Sequence, residues 1–395
     1  MTFNVKKAYI FFLCLYLLCL PLGAINIGAF GSALKILSVF PFLVAILGMK
    51  HIRITLPLVR YFLYALMVAF SIIISTSPSD SIAKAISIAE FFLLMATTCC
   101  FSFTDKDISI IKRTLIWSSR ISAIIVLIWG TYKAGRLWLT GGIINEDPNY
   151  FCMYLSFGVI AAVQGLMSKL PWSKKIICLV ELSVYVVIVL LTGSRGGLLA
   201  LLFGIFAFIL FSGKKFSAKK IVMIAVIGLI LYIGIESLSD ILQDRFTVES
   251  VLESGGSHRI DIWLQGLDLF ANAPMFRKIF GYGIATTIYN FESGGYAIAN
   301  VMHNMFLESL VEIGILGLIL YFTMVFSFLR RAYKNHDKFS FGVMICMIVM
   351  SLSTSISAFK PYLNIMIFIL CTCMCKKKVE AFCPEKNDFI LEKEI

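Results

Sequence analysis

Leu191-Thr-Gly-Ser-Arg-Gly-Gly-Leu-Leu-Ala-Leu-Leu-Phe-Gly-Ile-Phe-Ala-Phe-Ile-Leu-Phe-Ser212 decides the fold. From Arg195 onward it is an apolar run close to the roughly twenty residues that a bilayer core requires. The rest of the chain repeats the pattern. Its 395 residues are 59% hydrophobic and 15% charged, and the mean hydropathy is +0.90, far more apolar surface than a water-soluble globule tolerates. Hydropathy divides it into candidate spans at roughly 8–22, 29–49, 58–76, 84–103, 114–132, 149–168, 174–192, 195–212, 219–236, 303–328, 340–357 and 359–375. The expectation is an all-α, polytopic membrane protein of about 12 transmembrane helices. Helices 1–9 with short loops fill 1–236, and a sizeable outer loop subdomain fills 237–302. Helices 10–12 fill 303–375, and a cytoplasmic tail follows over 376–395.

Basic residues in the short loops set the orientation. With the N-terminus cytoplasmic, Lys6-Lys7, Lys50 and Arg53, Lys112-Arg113, Lys174-Lys175, Lys214-Lys215, Arg330-Arg331 and Lys376-Lys377-Lys378 all fall inside, and so does the C-terminus. The outer side keeps Lys84, Lys133, Arg136, Arg195, Arg245, Arg259, Arg277, Lys278 and Lys360. The net charge of +12 is then a cytoplasmic collar against anionic membrane lipids. No basic patch is interleaved with stacking aromatics on a soluble domain, so nucleic acid is not an expected partner. Residues 1–24 look like a signal peptide, with Lys6-Lys7 before an apolar run and Gly23-Ala24 behind it. The further spans downstream make an uncleaved first helix the better reading. The 11 cysteines lie mostly within spans or at the cytoplasmic end without zinc spacing, and so read as apolar fillers and reduced thiols.

Two outer stretches are long, near 133–148 and over 237–302. In the second, Ile260, Trp263, Leu264, Leu267 and Phe270 recur at helical spacing, as in an amphipathic helix lying at the membrane surface. The sixth, eighth and tenth helices run from outside to inside, so their unpaired N–H groups and positive dipole ends face outward. Their starts are Asp147-Pro148-Asn149, Ser194-Arg195-Gly196-Gly197 and the segment from Asn300 to Asn304. An arginine in the first turn opposes the dipole unless an anion sits there, and Gly196 and Gly197 would let that anion approach the backbone. The alternative is an arginine that reaches lipid phosphate. His303 is either a candidate base or an ordinary polar residue at a helix start, and His258 beside Arg259 is a second outer histidine. Glu312, two turns or more into its span, is expected to pair with an arginine rather than to catalyse.

Leu191-Thr-Gly-Ser-Arg-Gly-Gly197, Arg259 followed by Trp263, Phe280-Gly-Tyr-Gly283 and His303-Asn-Met-Phe-Leu-Glu-Ser-Leu-Val-Glu-Ile-Gly-Ile-Leu-Gly317 resemble, in residues and in order, the O-antigen ligase and O-antigen polymerase superfamily. Asp147-Pro-Asn149 resembles it too, and the likeness covers about residues 145 to 330. It implies a bacterial integral membrane glycosyltransferase of the cytoplasmic (inner) membrane with its active site on the outer face. The donor would be an oligosaccharide on undecaprenyl pyrophosphate. The acceptor would be lipid A core for a ligase, or another lipid-linked glycan repeat for a polymerase. By similarity, Arg195 and Arg259 would bind the pyrophosphate and His303 would act on the acceptor hydroxyl. Ser194, Gly196, Gly197, Asp147, Asn149, Trp263 and Asn304 complete the expected substrate-binding set.

The residues taken by themselves suit that chemistry. Pyrophosphate leaves readily, so no strong general acid is needed, and two guanidiniums can neutralise the departing charge. No metal is then required, and the outer loops show neither Asp-x-Asp nor a His-rich cluster. No cofactor is expected. The lack of a P-loop, or of Gly-x-Gly-x-x-Gly after a strand, argues against a nucleotide-sugar donor. A histidine of near-neutral pKa suits the base, contributing roughly 10²–10⁴-fold, with Asp147 and Asp261 as carboxylate alternatives. A single displacement would invert the anomeric centre. The rival class is a bicarbonate-like anion transporter, whose outward arginines select the anion. It would need Glu90, Arg120 and Glu181, the ionisable residues within spans, to pair into a pathway.

Overall fold

The computed structural model describes residues 4–25, 32–48, 51–141, 144–212, 217–247 and 255–375. Among them the chain forms helices α1 (Val5–Leu18), α2 (Ala33–Gly48), α3 (Leu56–Ile73), α4 (Pro78–Thr98) and α5 (Asp105–Trp129). Strands β1 (Thr131–Lys133), β2 (Arg136–Gly141) and β3 (Ile144–Glu146) follow, and then α6 (Pro148–Met167), α7 (Trp172–Leu191), α8 (Arg195–Phe211) and α9 (Ala218–Glu236). Next come the shorter helices α10 (Asp240–Asp244), α11 (Gly255–Ala271), α12 (Met275–Phe280) and α13 (Thr287–Ser293). The chain closes with α14 (Met305–Lys334), α15 (Lys338–Met350) and α16 (Lys360–Cys373). The fold is largely helical, with the long apolar helices of a polytopic membrane protein. A helix occupies at least part of each of the apolar segments read from the sequence, and the one in 340–357 ends at Met350. By length and composition alone α3, α4, α6 and α14 can cross a membrane, and α2, α8, α15 and α16 are shorter apolar helices. Large apolar side chains such as Leu47, Ile73, Phe203 and Ile319 remain exposed on the outside, the surface expected of a protein embedded in lipid.

Small residues bring the central helices close. A Cβ on Gly204 of α8 would run into Cys346 Sγ and the Gly342 carbonyl of α15, so the two backbones approach in the manner of small-residue contacts in membranes. Around this pair α8 also packs on α6, α3 on α14, and α1 on α2 and α5. The ten described cysteines are free thiols held mostly within these helices. The starts of α6, α8 and α14 meet at one end of the bundle, where Ser194 Oγ donates to Asn149 Oδ1 at 2.8 Å and Met305 N donates to the Ser351 carbonyl at 2.8 Å. At the other end Lys6 pairs with Asp107 at 2.7 Å and Arg331 Nε donates to Cys373 Sγ at 3.0 Å.

Two features depart from the purely helical expectation. The stretch between α5 and α6, expected as an outer loop near 133–148, carries a three-stranded antiparallel sheet in the order β1-β2-β3. Its first turn has Ala134 at φ 48° and Gly135 at φ 73° between the paired Lys133 and Arg136, a tight hairpin whose hand matches strand twist. The second feature is a break in α14 at Gly314, φ 69°. There a Cβ would fall on the Ile279 carbonyl, so only glycine fits. The segment after α12 lies along the broken turn, with Tyr282 N donating to Val311 O at 3.1 Å and Gly283 N to Glu312 O at 2.8 Å. Glu312 does not pair with the expected arginine. Its carboxylate accepts from Ala285 N and Thr287 Oγ1, both at 2.8 Å, and from Thr287 N at 3.3 Å. Backbone N–H groups and a hydroxyl satisfy this carboxyl group in place of an arginine.

Candidate functional site

The site is built on the capping chemistry of three helix starts. Asp147 caps α6, with Pro148 in the first turn, and Asp147 Oδ1 accepts from both Asn149 N and Asn149 Nδ2 at 2.8 Å. Asn149 Oδ1 in turn accepts from Ser194 Oγ at 2.8 Å and from Arg136 Nη2 at 3.5 Å. Ser194 caps α8 by accepting from Gly197 N at 3.0 Å. Asp147, Asn149 and Ser194 therefore form one hydrogen-bonded chain that locks α6 to α8. The turn before Arg195 is held from two further directions. Arg136 Nε donates to Thr192 O at 2.8 Å, and Arg245 Nε donates to Gly193 O at 3.3 Å, with Gly193 at φ 59°.

The two glycines after Arg195 stand in tight helix packing. A Cβ on Gly197 would lie 2.6 Å from Cys152 Sγ, and one on Gly196 would overlap Ser353 Oγ. The space beside their Cα atoms is filled by α6 and by the segment after α15. Their smallness serves helix packing.

Four arginines gather at this end. Arg259 of α11 lies within electrostatic reach of Asp147, Arg195, Tyr150 and Arg245, and Arg136 within reach of Arg245, Asp147 and Arg259. Burial and the neighbouring guanidiniums pull Arg259 and Arg136 below the ordinary arginine value, with Asp147 as the opposing influence. Such a cluster resists its own charge and favours an anion that joins several guanidiniums at once. Among the described residues, no group of three or more His, Cys, Asp or Glu side chains could hold a metal ion.

His303 enters the same place from α14. Met302 is fully buried in a small apolar cluster with Ile262, Phe291 and Val311, and its carbonyl accepts from Trp263 Nε1 at 2.8 Å. Asn304 caps α14 by accepting from Phe306 N at 3.0 Å and Leu307 N at 3.2 Å. Between these anchors His303 takes a left-handed backbone at φ 49°, sparsely populated for a residue with a Cβ and sustained only by a rigid surround. Its Nδ1 is buried and has no hydrogen-bond partner. Burial first, and then the charge of Arg259, hold His303 below its usual value of 6.5, while Asp147 pulls it up.

The structure thus brings Asp147, Asn149, Ser194, Arg195, Arg259 and His303 together. Trp263 lies under the His303 segment and Asn304 is engaged as a helix cap. Asp261 is exposed on α11, and the side chain of His258 lies outside the described residues. Sequence reasoning missed Arg136, Arg245 and Tyr150 as members of the site. The available signal was their charge, since both arginines fall on the side that the sequence-based topology expects to be poor in basic residues.

Residues 182–322 match the profile of a family described as O-antigen ligase. The match contains Ser194–Gly197, Arg259, Trp263 and His303–Gly317, so the resemblance to the O-antigen ligase and polymerase superfamily holds over that segment. Arg136 and Asp147–Asn149 lie ahead of it. A chain of a solved structure described as "Structural coordination of polymerization and crosslinking by a peptidoglycan synthase complex" is similar at 16% identity and a TM-score of 0.47, over 80% of this chain and 94% of that one. No curated protein matches the sequence.

Proposed function

We propose that the chain is a glycosyltransferase of the bacterial cytoplasmic membrane that moves a glycan from undecaprenyl pyrophosphate to an acceptor sugar hydroxyl, as a ligase or as a repeat-unit polymerase. The observation that carries this reading is the convergence of Arg136, Arg195, Arg245 and Arg259 beside an imidazole whose Nδ1 is buried and unpartnered. A diphosphate offers the several acceptor oxygens that such a set can share. The acceptor oxygen attacks the anomeric carbon, and a new C–O bond forms as the bond from that carbon to the pyrophosphate oxygen breaks. The electron pair leaves with undecaprenyl pyrophosphate, whose growing charge the guanidiniums stabilise, and the hydroxyl proton passes to His303. Asp147 Oδ1 already accepts two hydrogen bonds and steadies Arg259 and His303 rather than serving as the base. One displacement inverts the anomeric centre.

In the same reading the chain crosses the membrane twelve times with both ends cytoplasmic, and the starts of α6, α8 and α14 face outward. A transport pathway has less to support it. Arg120 and Glu181 neutralise each other at 2.8 Å between α5 and α7, whereas Glu90 lies toward Ser38 and Lys360. The test is a pair of variants in the host. His303→Ala is expected to lower transfer by roughly 10²-fold or more while the protein still inserts. Arg195→Lys is expected to lose most activity, because an ammonium cannot supply the planar fork. Near-normal surface glycan from both would contradict the proposal.

A further inference from the structure

A cavity of about 610 Å³ is lined by Tyr150 and, among the described residues, by none of the four arginines. Its wall includes Asp80 and Lys84 of α4, Tyr289 and Glu292 of α13, Glu308 of α14, and Ser355. A second cavity of about 270 Å³ shares Lys84, Tyr150 and Ser355 with it. Val301, two residues before His303, is also in the wall. Tyr150 therefore connects the arginine cluster with the cavities: it is within electrostatic reach of Arg259 and lines both cavities.

The lining is built for hydroxyl groups. Glu308, buried, accepts from the Ser355 hydroxyl, and Lys84 acts electrostatically on both Glu308 and Glu312. Tyr150 donates to the Ser355 carbonyl at 2.9 Å, which fixes its ring against Phe359 at a centroid separation of 5.0 Å. Glu312 is engaged by the 285–287 segment and serves as a wall, whereas a carboxylate can accept about four hydrogen bonds, so Glu308 keeps capacity on the cavity side. Tyr289 is 46% exposed and offers an aromatic face. The charge of the wall is opposite in sign to that of the arginine cluster: the carboxylates of Asp80 and Glu292 outnumber the single ammonium of Lys84, and the buried carboxyl groups of Glu308 and Glu312 stand beside them.

We propose that this cavity is the acceptor subsite and that it selects an uncharged or amino-bearing sugar against one carrying a phosphate or carboxylate. The inference rests on the transfer reading above and adds to it the chemical class of the acceptor. The two charge signs sort the substrates: the anionic carrier is drawn to the arginines and repelled from the acceptor side, so the donor does not occupy both places. The sugar hydroxyl presented past Tyr150 reaches the His303 imidazole, and its proton and the new C–O bond follow the step already written. Glu308, Lys84 and Tyr289 are specificity-determining residues rather than participants in bond making.

The test uses the full-length protein in lipid nanodiscs, undecaprenyl-pyrophosphate-linked oligosaccharide as donor, and four soluble probes: methyl glucoside, methyl glucosaminide, methyl glucuronide and a hexose phosphate. Binding of each probe without donor is measured beside transfer with donor. Expected are binding and transfer for the first two and at least about tenfold lower kcat/KM for the anionic pair. Glu308→Gln and Tyr289→Ala should raise the acceptor KM with the donor KM unchanged, and Glu292→Lys, at an exposed position, should improve the anionic probes. Equal use of all four probes, with acceptor KM unmoved in all three variants, overturns the subsite. Selective binding without any transfer by the wild type supports the subsite and overturns the transfer reading instead.

Discussion

Replacing Trp263 by phenylalanine separates two roles for this ring. The indole N–H donates to the Met302 carbonyl at 2.8 Å, one residue before His303, and the ring packs on the cluster of Ile262, Phe291, Met302 and Val311. Phenylalanine keeps most of the apolar packing but leaves the carbonyl of a fully buried residue without its donor, a loss of about 1–3 kcal/mol. His303, held in the left-handed region at φ 49°, then loses one of its two anchors. A displacement of about 1 Å at a reacting group lowers the rate on the order of 10²-fold. We therefore expect kcat to fall by roughly 10- to 10²-fold with the donor KM unchanged. The assay is steady-state transfer from a fluorescent lipid-linked oligosaccharide by W263F, H303A and the double variant. If the indole acts through His303, the double variant is no slower than H303A alone. Losses that multiply in the double variant, or an unchanged kcat with a raised donor KM, would place the indole on the sugar and refute the positioning role.

Three further predictions follow from the same geometry. The His303 imidazole, followed by NMR, should titrate below 6.5; Arg259→Gln should move its midpoint up and Asp147→Asn should move it down, and the acid limb of kcat/KM should track it, activity appearing as the proton leaves. A midpoint above 6.5 in the wild type would contradict this. Arg136→Gln and Arg245→Gln each remove a charged donor to the turn before Arg195, worth about 1.5–3 kcal/mol, so competition binding of undecaprenyl pyrophosphate should weaken by roughly 10- to 10²-fold. Unaltered binding in both variants would exclude them from the anion site. Gly197→Ala should destabilise the detergent-solubilised protein by about 1–3 kcal/mol through the contact with Cys152. Gly228→Ala, where a Cβ meets nothing within 4 Å, should be neutral or stabilising in the same thermal scan.

What was legible in the sequence was local. Asp147-Pro148 and Ser194 announce helix starts because capping is settled within three or four residues, and α6 and α8 begin where those signals stand. The amphipathic segment 259–270 lies within α11, again a matter of local spacing. Its faces were harder to read: Ile260, Leu264 and Leu267 are exposed, an apolar stripe left for lipid, while Ile262 and Gly266 turn inward. The hairpin at Ala134-Gly135 was hidden because alanine is not a residue that advertises positive φ. Arg136 and Arg245 meet their carbonyl partners 56 and 52 residues away, and no spacing rule reaches that far. The same holds for Glu312, whose donors belong to a segment brought alongside by the break at Gly314.

The central claim is that the arginine and histidine cluster transfers a glycan from a lipid pyrophosphate, and purified protein in liposomes tests it most directly. With undecaprenyl-pyrophosphate-linked oligosaccharide and either a second lipid-linked glycan or lipid A core, the products are followed by gel and mass spectrometry. The account predicts a lengthened or core-joined glycan, inverted at the new linkage, with release of undecaprenyl pyrophosphate in equal amount and loss of both in His303→Ala. Intact donor with every acceptor, accompanied by anion flux into the liposomes, would contradict it.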